Sequence, residues 1–348
     1  MFCLTKKLMD LMESMICSSR FRQILSALLL LHCIYACGKI EDVETQEEWI
    51  QQQDATIHQV LKKSELRILD IGNSYTNDAT ALLPQIVDAS HVNLNDFCLY
   101  KAIRSGASLK SWCNVYHDQD PNYTYSVSKV IGNLKANVEA GTGAKGDGSL
   151  FRKVLTSEQW DLIMIHQLST TAPYYAMWAG DNSDGSLEEL LNIIKKHQPN
   201  ATIGFYIIHS YWDEYENNKE QSSYGRWKLI CEAVQRVQSN YKIDFIIPYG
   251  TAVENLRASS LNNEYDLTRD GTHCGYGLCR YTAACCYYEA LIAPRTGISV
   301  LGNSVRYDAS HMTSSIYPAI SVTENNARIA QQAAVLAVQN PYKCINPE

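Results

Sequence analysis

The sequence predicts an α/β fold, a three-layer α/β/α sandwich built around a mostly parallel sheet of five strands. Short apolar runs alternate along the chain with segments of helical periodicity, which is typical of β-α-β units and a parallel sheet. The chain has 348 residues, of which 46% are hydrophobic and 19% charged. This is the composition of a folded globular protein, at a length that one large α/β domain can fill.

The five predicted strands are apolar runs of four to eight residues. They occupy residues 66–71, 96–102, 161–165, 201–208 and 245–248. Ligands of open α/β sheets bind beyond the carboxyl ends of the strands. We therefore expect the functional residues to follow these runs directly.

Five helices are predicted from apolar residues at helical spacing. They occupy residues 79–89, 187–197, 222–237, 276–292 and 323–338. Asn77 or Asp78 lies near the start of the first helix as a cap, and prolines follow three of the others. Residues 121–148, which are rich in glycine, are predicted to be an insertion or an elaborated loop.

The N-terminus has the organisation of an export signal. Arg20 and Arg22 precede an apolar run over residues 24–31, which is shorter than the roughly 20 apolar residues of a transmembrane helix. A small residue and then Cys37 follow, which resembles the processing site of bacterial lipoproteins. By that resemblance, residues 1–36 are a lipoprotein signal peptide and Cys37 is the lipidated first residue of a protein held in the cell envelope.

Two other interpretations of this segment stay open, an ordinary cleaved signal peptide and a single membrane anchor. Residues 37–62 are polar and rich in Gln and Glu, so they predict a tether or an N-terminal surface helix. Residues 63–345 are expected to form the folded domain.

The charge balance excludes nucleic acid as a partner. The formal net charge is -7, and it becomes -9 when residues 1–36 are removed. An acidic chain without a basic stripe repels phosphate backbones.

The cysteines predict no metal site. Eight cysteines follow Cys37, and export permits disulfides, although the sequence does not give their pairing. Cys274 and Cys279 lie close to His273, but no second closely spaced Cys/His pair completes a four-ligand zinc set. Buried free thiols are expected for several of the cysteines. A glycine-rich nucleotide fingerprint and a Walker lysine are also missing from the sequence, so no cofactor is predicted.

Polar residues follow the first three predicted strands. Ser74 comes after Gly72 in a turn leading into a helix, where backbone N–H groups can stabilise developing negative charge, although a serine here can also simply cap the helix. Gly106 follows the second strand, where it lets an N–H approach a ligand closely. Gln167 and Ser169 follow the third strand, and a side-chain amide at this position can donate to an oxyanion.

Asp270 and His273 lie three residues apart just before a predicted helix. At this spacing a carboxylate can fix the tautomer of the imidazole and support its protonated form. A histidine near a helix start is often structural, but a serine in a turn elsewhere in the chain favours a catalytic pair here.

Together these blocks resemble the SGNH hydrolase superfamily of GDSL-like esterases, whose sheet is flavodoxin-like, and more narrowly a branch of exported bacterial SGNH-like lipoproteins. The resemblance runs from Ile68 to about Ile292. It implies that Ser74 is the nucleophile, that His273 is the base and that Asp270 orients the base.

The oxyanion hole implied by the resemblance consists of the N–H groups of Ser74 and Gly106 and a side-chain amide. Two positions depart from the usual superfamily pattern. Asn73 stands where an aspartate is usual, and Gln167 is the nearest candidate for the usual asparagine, with Ser169 second.

Four residues are candidate substrate contacts because they lie at or beside the strand ends: Asn73, Ser169, His209 and Trp212. Trp212 belongs to an aromatic-rich segment after the fourth strand, where an aromatic ring can stack on a sugar or simply cover the sheet edge.

The sequence therefore predicts an exported serine esterase that removes ester groups, acetyl groups in particular, from a small-molecule or glycan substrate. The expected membrane contact is through the lipid anchor only. Two alternatives stay open: an esterase of lipid or fatty acyl esters, and a non-catalytic glycan-binding lipoprotein on the same scaffold.

Overall fold

The computed structural model describes residues 57–132, 140–213, 215, 221–262, 267–312 and 317–348. The chain divides into two units, Met1–Gln52 and Gln53–Glu348. The first unit, with the predicted signal peptide and Cys37, lies outside the described residues. Of the segment predicted as a tether or surface helix, residues 57–61 are helical, and Ile57, Val60 and Leu61 are buried in the core of the domain.

A seven-stranded sheet forms the centre of the domain, in the order β4-β3-β2-β1-β5-β6-β7. The strands are β1 Leu66–Gly72, β2 Phe97–Ile103, β3 Tyr125–Ile131, β4 Gly141–Gly143, β5 Leu162–Ile165, β6 Thr202–Tyr206 and β7 Phe245–Ile247. β2, β1, β5, β6 and β7 are parallel to one another, whereas β3 runs antiparallel to β2 and β4 antiparallel to β3.

The α/β prediction is confirmed, but the prediction of five strands is wrong. The sheet has seven strands and is mixed, because β3 and β4 lie in the segment predicted to be an insertion or loop. In β3 only Tyr125 and Val127 are buried, and β4 is the tripeptide Gly-Thr-Gly. Such poorly buried strands near the edge of a sheet are specified by pairing with a neighbour more than by their own sequence.

The helices are α1 Ser74–Thr80, α2 Leu83–Ala89, α3 Leu109–Tyr116, α4 Ser149–Ser157, α5 Ser186–His197, α6 Ser223–Tyr241, α7 Tyr249–Arg257, α8 Leu278–Leu291, α9 Ala293–Thr296 and α10 Glu324–Gln339. A short 3₁₀ helix covers Tyr175–Met177. Residues on both sides of β1, β5 and β6 are buried, so helices cover both faces of the sheet. No helix among the described residues has the length and apolarity needed to span a bilayer.

The predicted helix over 79–89 is in fact two helices, α1 and α2, and α1 begins five residues earlier. Asn73 is the cap of α1, since its side chain accepts the N–H of Tyr75, so neither Asn77 nor Asp78 has that role. Pro84 lies in the first turn of α2, where it needs no hydrogen-bond partner for its ring nitrogen.

Helix α8 is the central helix of one face, because 12 of its 14 residues are buried. It contacts α1, α2, α7 and α10. Its first turn directly follows the segment that contains Asp270 and His273, so the packing of α8 fixes where that segment lies.

A buried carboxyl group connects α8 to the sheet. Asp70 on β1 is fully buried and accepts hydrogen bonds from the hydroxyl groups of Tyr206 on β6 and Tyr287 on α8, at 2.8 Å each to Oδ2. Burial raises the pKa of Asp70 to about 7, although both tyrosines and the charge of Lys101 act to lower it.

Candidate active site

The candidate residues lie along one edge of the sheet. β1 is the neighbour of both β2 and β5, and all three strands are parallel, so their carboxyl ends lie side by side. Ser74 follows β1, Gly106 follows β2 and Gln167 follows β5. Three segments that are distant in sequence thus come together where the open edge of an α/β sheet binds ligands.

Gly72 is required where β1 turns into α1. A Cβ atom at this position would lie 2.0 Å from Oγ1 of Thr76 and 2.6 Å from Nε2 of His166. His166 is buried and lies 2.9 Å from Oγ1 of Thr76, and burial lowers its pKa to about 4. His166 is therefore a neutral residue that packs under the turn.

Asn73 does not have the substrate contact predicted from the sequence. Its Oδ1 accepts the N–H of Tyr75 at 2.9 Å, and its Nδ2 donates to the carbonyl of Ala107 at 2.8 Å. The side chain is buried and both of its ends are used within the protein. Asn73 instead holds the turn of Ser74 against the turn of Gly106.

Ser74, His273 and Asp270 form one hydrogen-bonded chain. Oγ of Ser74 lies 2.9 Å from Nε2 of His273, and Nδ1 of His273 lies 2.8 Å from Oδ2 of Asp270. The other carboxylate oxygen accepts the backbone N–H of His273 at 2.8 Å and the backbone N–H of Thr272 at 3.0 Å. These are the contacts that a nucleophile, a base and an orienting carboxylate require.

Asp270 is ionised at neutral pH. Partial burial by itself raises the pKa of Asp270, but the hydrogen bonds from His273 and Thr272 outweigh it and hold the pKa well below its ordinary value. A carboxylate that is ionised and bonded to Nδ1 fixes the tautomer of His273 in which Nε2 can accept a proton from Ser74.

Two ion pairs that the sequence does not reveal hold the segment that contains Asp270 and His273. Asp78 is fully buried, and both of its oxygens accept from Arg269, at 3.0 and 2.9 Å. Arg280, in the first turn of α8, donates to the same carboxylate from Nε at 2.9 Å and from Nη2 at 2.6 Å. Because Arg269 precedes Asp270, its ion pair with Asp78 connects α1 to the start of the catalytic loop, which we define as residues 269–275.

A disulfide between Cys274 and Cys279 closes the other end of the catalytic loop. Both cysteines are buried, with their Cα atoms 5.3 Å apart. The remaining described cysteines are free: Cys98, Cys113, Cys231, Cys285, Cys286 and Cys344. Within the described ranges, no three His, Cys, Asp or Glu side chains are grouped so that they could hold a metal ion.

Three donors at the strand ends remain available for an oxyanion. Within the described part of the chain, no hydrogen bond uses the backbone N–H of Ser74 or of Gly106. Oε1 of Gln167 accepts the N–H groups of Leu109 at 3.2 Å and Leu168 at 2.7 Å. These two bonds point the carbonyl of the amide into the protein, which leaves Nε2 of Gln167 as its uncommitted end among the described residues.

Ser169 differs from Gln167 in this respect. Its Oγ is the acceptor for the hydroxyl of Tyr211 at 3.0 Å, and its carbonyl accepts from Arg226 at 2.6 Å. Both residues are buried, but the Ser169 hydroxyl is itself bonded, whereas the bonds of Gln167 use its carbonyl oxygen. Gln167 is therefore the better candidate for the third oxyanion donor, and the substrate contact predicted for Ser169 stays a prediction.

His209 and Trp212 both lie against the catalytic loop. His209 is fully buried and bonds the carbonyl of Thr272 at 2.7 Å, so it supports the loop and does not face the substrate as predicted. Trp212 is half-buried, and its backbone N–H donates to the carbonyl of Gly271 at 2.9 Å. Its ring packs edge-on against the ring of Tyr317, with centroids 4.5 Å apart.

An α/β sheet that places a Ser-His-Asp chain at its carboxyl edge has the arrangement of a serine hydrolase. Residues 67–317 match the family described as Domain of unknown function (DUF4886), and the chain belongs to this family. None of the curated proteins matches the chain.

Three solved structures resemble the chain. A DUF4886 family protein from Bacteroides uniformis ATCC 8492 is 25% identical, with a TM-score of 0.62 over 81% of this chain and 98% of that chain. A proposed GDSL-like lipase from Parabacteroides merdae ATCC 43184 is 13% identical, with a TM-score of 0.40 over 66% of this chain and 96% of that chain. A proposed acylhydrolase from Bacteroides fragilis NCTC 9343 is 13% identical, with a TM-score of 0.34 over 67% of this chain and 89% of that chain.

Proposed function

We propose that this protein is a serine esterase of the SGNH hydrolase type. The observation that carries the proposal is the chain of hydrogen bonds from Ser74 Oγ through His273 to Asp270, at 2.9 and 2.8 Å. A structural histidine can also contact a hydroxyl, as His166 contacts Thr76, but His273 in addition bonds a carboxylate through its other ring nitrogen. An acyl-transfer site needs three groups in line: a hydroxyl that is not fully buried, an imidazole and an ionised carboxylate. Ser74, His273 and Asp270 supply them, and the pKa of Asp270 lies below its ordinary value.

The geometry supports a two-step reaction. Ser74 Oγ attacks the acyl carbon as His273 Nε2 accepts its proton, and the carbonyl oxygen becomes an oxyanion. The N–H groups of Ser74 and Gly106 and Nε2 of Gln167 donate to that oxyanion. His273 then returns the proton to the leaving alcohol, and an acyl-enzyme ester forms on Ser74.

A water molecule completes the cycle. His273 takes a proton from the water, which attacks the acyl carbon, and the acid leaves as Ser74 recovers its proton. Asp270 remains ionised throughout and stabilises the imidazolium form of His273 in both steps. None of these steps uses a cofactor.

We propose an acetyl ester on a carbohydrate as the substrate. Trp212 and Tyr317 are half-buried aromatic residues beside the catalytic loop, and such rings combine an apolar face with a polar tip that suits a sugar. A lipid ester is the alternative substrate, which a wide apolar cleft beside the loop would favour.

We also propose that the enzyme is exported and anchored through a lipid on Cys37, on the strength of the signal-like residues 1–36. Cys37→Ser should move the protein from the membrane fraction to the soluble fraction and abolish incorporation of a radiolabelled fatty acid. Persistent labelling of the variant would contradict this assignment.

The test of activity is hydrolysis of p-nitrophenyl esters from acetate to longer acyl chains, with Ser74→Ala beside the wild type. Loss of a triad nucleophile should lower kcat by about 10⁴–10⁶-fold. Ser149→Ala, at an exposed serine that begins α4, is the matched control and should retain full activity.

Acetylated oligosaccharides are the second substrate series, with released acetate as the readout. Preference for long acyl chains would replace the carbohydrate proposal with a lipid esterase. If the wild type and Ser74→Ala are equally inactive on every ester but bind sugars, the catalytic proposal is wrong and the protein is a glycan-binding module.

A further inference from the structure

His209 follows β6 and lies beneath the catalytic loop, with none of its surface exposed. We propose that His209 is a positioning residue, which acts through the Thr272 carbonyl to hold His273 in line with Ser74. The inference rests on the proposed function, because it concerns the base of the same hydrogen-bonded chain.

The two ring nitrogens of His209 face the two sequence neighbours of the base. Nε2 lies 2.7 Å from the carbonyl oxygen of Thr272, which directly precedes His273. Since a carbonyl oxygen only accepts, Nε2 carries the hydrogen of this bond. Nδ1 lies 3.8 Å from Sγ of Cys274, which directly follows His273. One imidazole therefore contacts the loop on both sides of the base.

His209 also contacts the neighbour of the nucleophile. Its ring stacks on the ring of Tyr75, with centroids 4.4 Å apart and an interplanar angle of 17°. The hydroxyl of Tyr75 donates to the same Thr272 carbonyl at 2.7 Å. A peptide carbonyl has two lone pairs, so the two donors together saturate this oxygen. Residues on the nucleophile side and the base side thus meet at one atom.

The position of that carbonyl decides where the imidazole of His273 lies. Gly271, before Thr272, has a φ of 87°, a conformation in which a backbone without a Cβ is only weakly restrained by its own sterics. The donors on the Thr272 oxygen fix the peptide plane that leads into His273. Rotation of this plane would lengthen the 2.9 Å contact between His273 and Ser74. A displacement of about 1 Å in a reacting group can cost about 10²-fold in rate.

Two substitutions separate the hydrogen bond from the ring packing. His209→Phe keeps an aromatic ring against Tyr75 but has no donor, whereas His209→Gln loses the ring but supplies an N–H for the carbonyl. We expect His209→Phe to lower kcat by roughly 10–100-fold with KM within about twofold, because only the alignment of the base is disturbed. His209→Gln should recover most of that loss.

Tyr75→Phe completes a double-mutant cycle, since it removes the second donor and keeps the stacked ring. Each single variant leaves the Thr272 carbonyl one donor, but the double variant with His209→Phe leaves it none. We expect the loss in kcat of the double variant to exceed the product of the two single losses. Additive effects would contradict a shared role at this carbonyl.

A second readout does not depend on turnover. The imidazole proton between His273 Nδ1 and Asp270 should give a downfield NMR signal, assigned by its absence from His273→Ala. We expect this signal to broaden or vanish in His209→Phe and to persist in His209→Gln, with thermal unfolding confirming that both variants are folded.

A folded His209→Phe with wild-type kcat and an unchanged signal would overturn the inference. So would a His209→Gln as impaired as His209→Phe, because a restored donor would then recover none of the lost activity. If the wild type hydrolyses no ester, the proposed function fails, and the NMR comparison still decides whether His209 positions His273.

Discussion

Replacement of Asp70 with Asn should stabilise the protein at alkaline pH. Asp70 lies four residues before Ser74, fully buried, with both of its polar contacts made to tyrosine hydroxyls. Burial raises the pKa of this carboxyl from 3.8 to about 7. Asparagine has nearly the shape of the neutral acid and offers an acceptor oxygen and an N–H₂ group to the hydroxyls, so the variant can keep the contacts without a charge.

The direction of the effect depends on which state of the protein holds the proton. Below pH 3.8 the side chain is protonated in both states, and above about pH 7 it is ionised in both. Between these values the folded protein keeps the proton that the unfolded chain has lost, so the contribution of Asp70 to stability falls as the pH rises. A change of one pKa unit is worth about 1.4 kcal/mol, so the advantage of Asp70→Asn over the wild type should grow by about 3 kcal/mol between pH 5 and pH 8.

The assay is urea unfolding at several pH values between 5 and 8, followed by tryptophan fluorescence. His166 has an opposing pH dependence, because its pKa is lowered to about 4 and its contribution to stability is lost as the pH falls below 6.5. This contribution is the same in variant and wild type, so it cancels in the difference between their free energies of unfolding. Asp181→Asn, at an exposed aspartate, is the control for the loss of a surface carboxylate. A difference for Asp70→Asn that is constant, or that shrinks as the pH rises, would refute the reasoning.

Four further variants test the support of the site. Asp78→Asn should lower the free energy of unfolding by about 3 kcal/mol, measured by urea titration, because it leaves two arginines that are mostly buried without a carboxylate. Gln167→Ala should lower kcat by about 100-fold with little change in KM if it is an oxyanion donor, and an unchanged kcat would remove it from that role. The double change Cys274→Ser and Cys279→Ser should cost about 2 kcal/mol of stability from the entropy of the short closed loop, as differential scanning calorimetry would show. Gly72→Ala should give little folded protein, since its methyl group would lie 2.0 Å from a threonine hydroxyl, and a normal melting temperature would contradict this.

Much of the sheet and its polar edge was predictable because buried parallel strands are continuous apolar runs. β1, β5 and β6 are buried along almost their whole length, so they stand out from the segments around them. The turn after β1 and the Asp270–His273 pair were identified because their spacing is local. The structure brings Ser74 and this pair into contact.

Features that depend on partners far away in the sequence could not be predicted from local sequence patterns. Strand β4 has little preference of its own for extended structure, and it forms by pairing with β3. The partners of Asp78 lie 191 and 202 residues away, so nothing near Asp78 distinguishes it from a helix cap. His209 looks like a rim residue in sequence because it follows a strand, but the strand ends below the catalytic loop and not beside open solvent.

The contact between Ser74 and His273 joins residues 199 positions apart in the sequence, and six of the seven strands lie between them along the chain. Closing a chain segment of that length costs entropy that local contacts do not repay, which makes such contacts slow to form. The nucleophile emerges early in synthesis and stays without its base until α8 has packed. A fragment that ends before residue 269 would carry Ser74 and its turn but neither Asp270 nor His273, so it would lack the proton acceptor that the proposed reaction needs. Acquisition of activity during refolding would therefore report on the assembly of the whole domain.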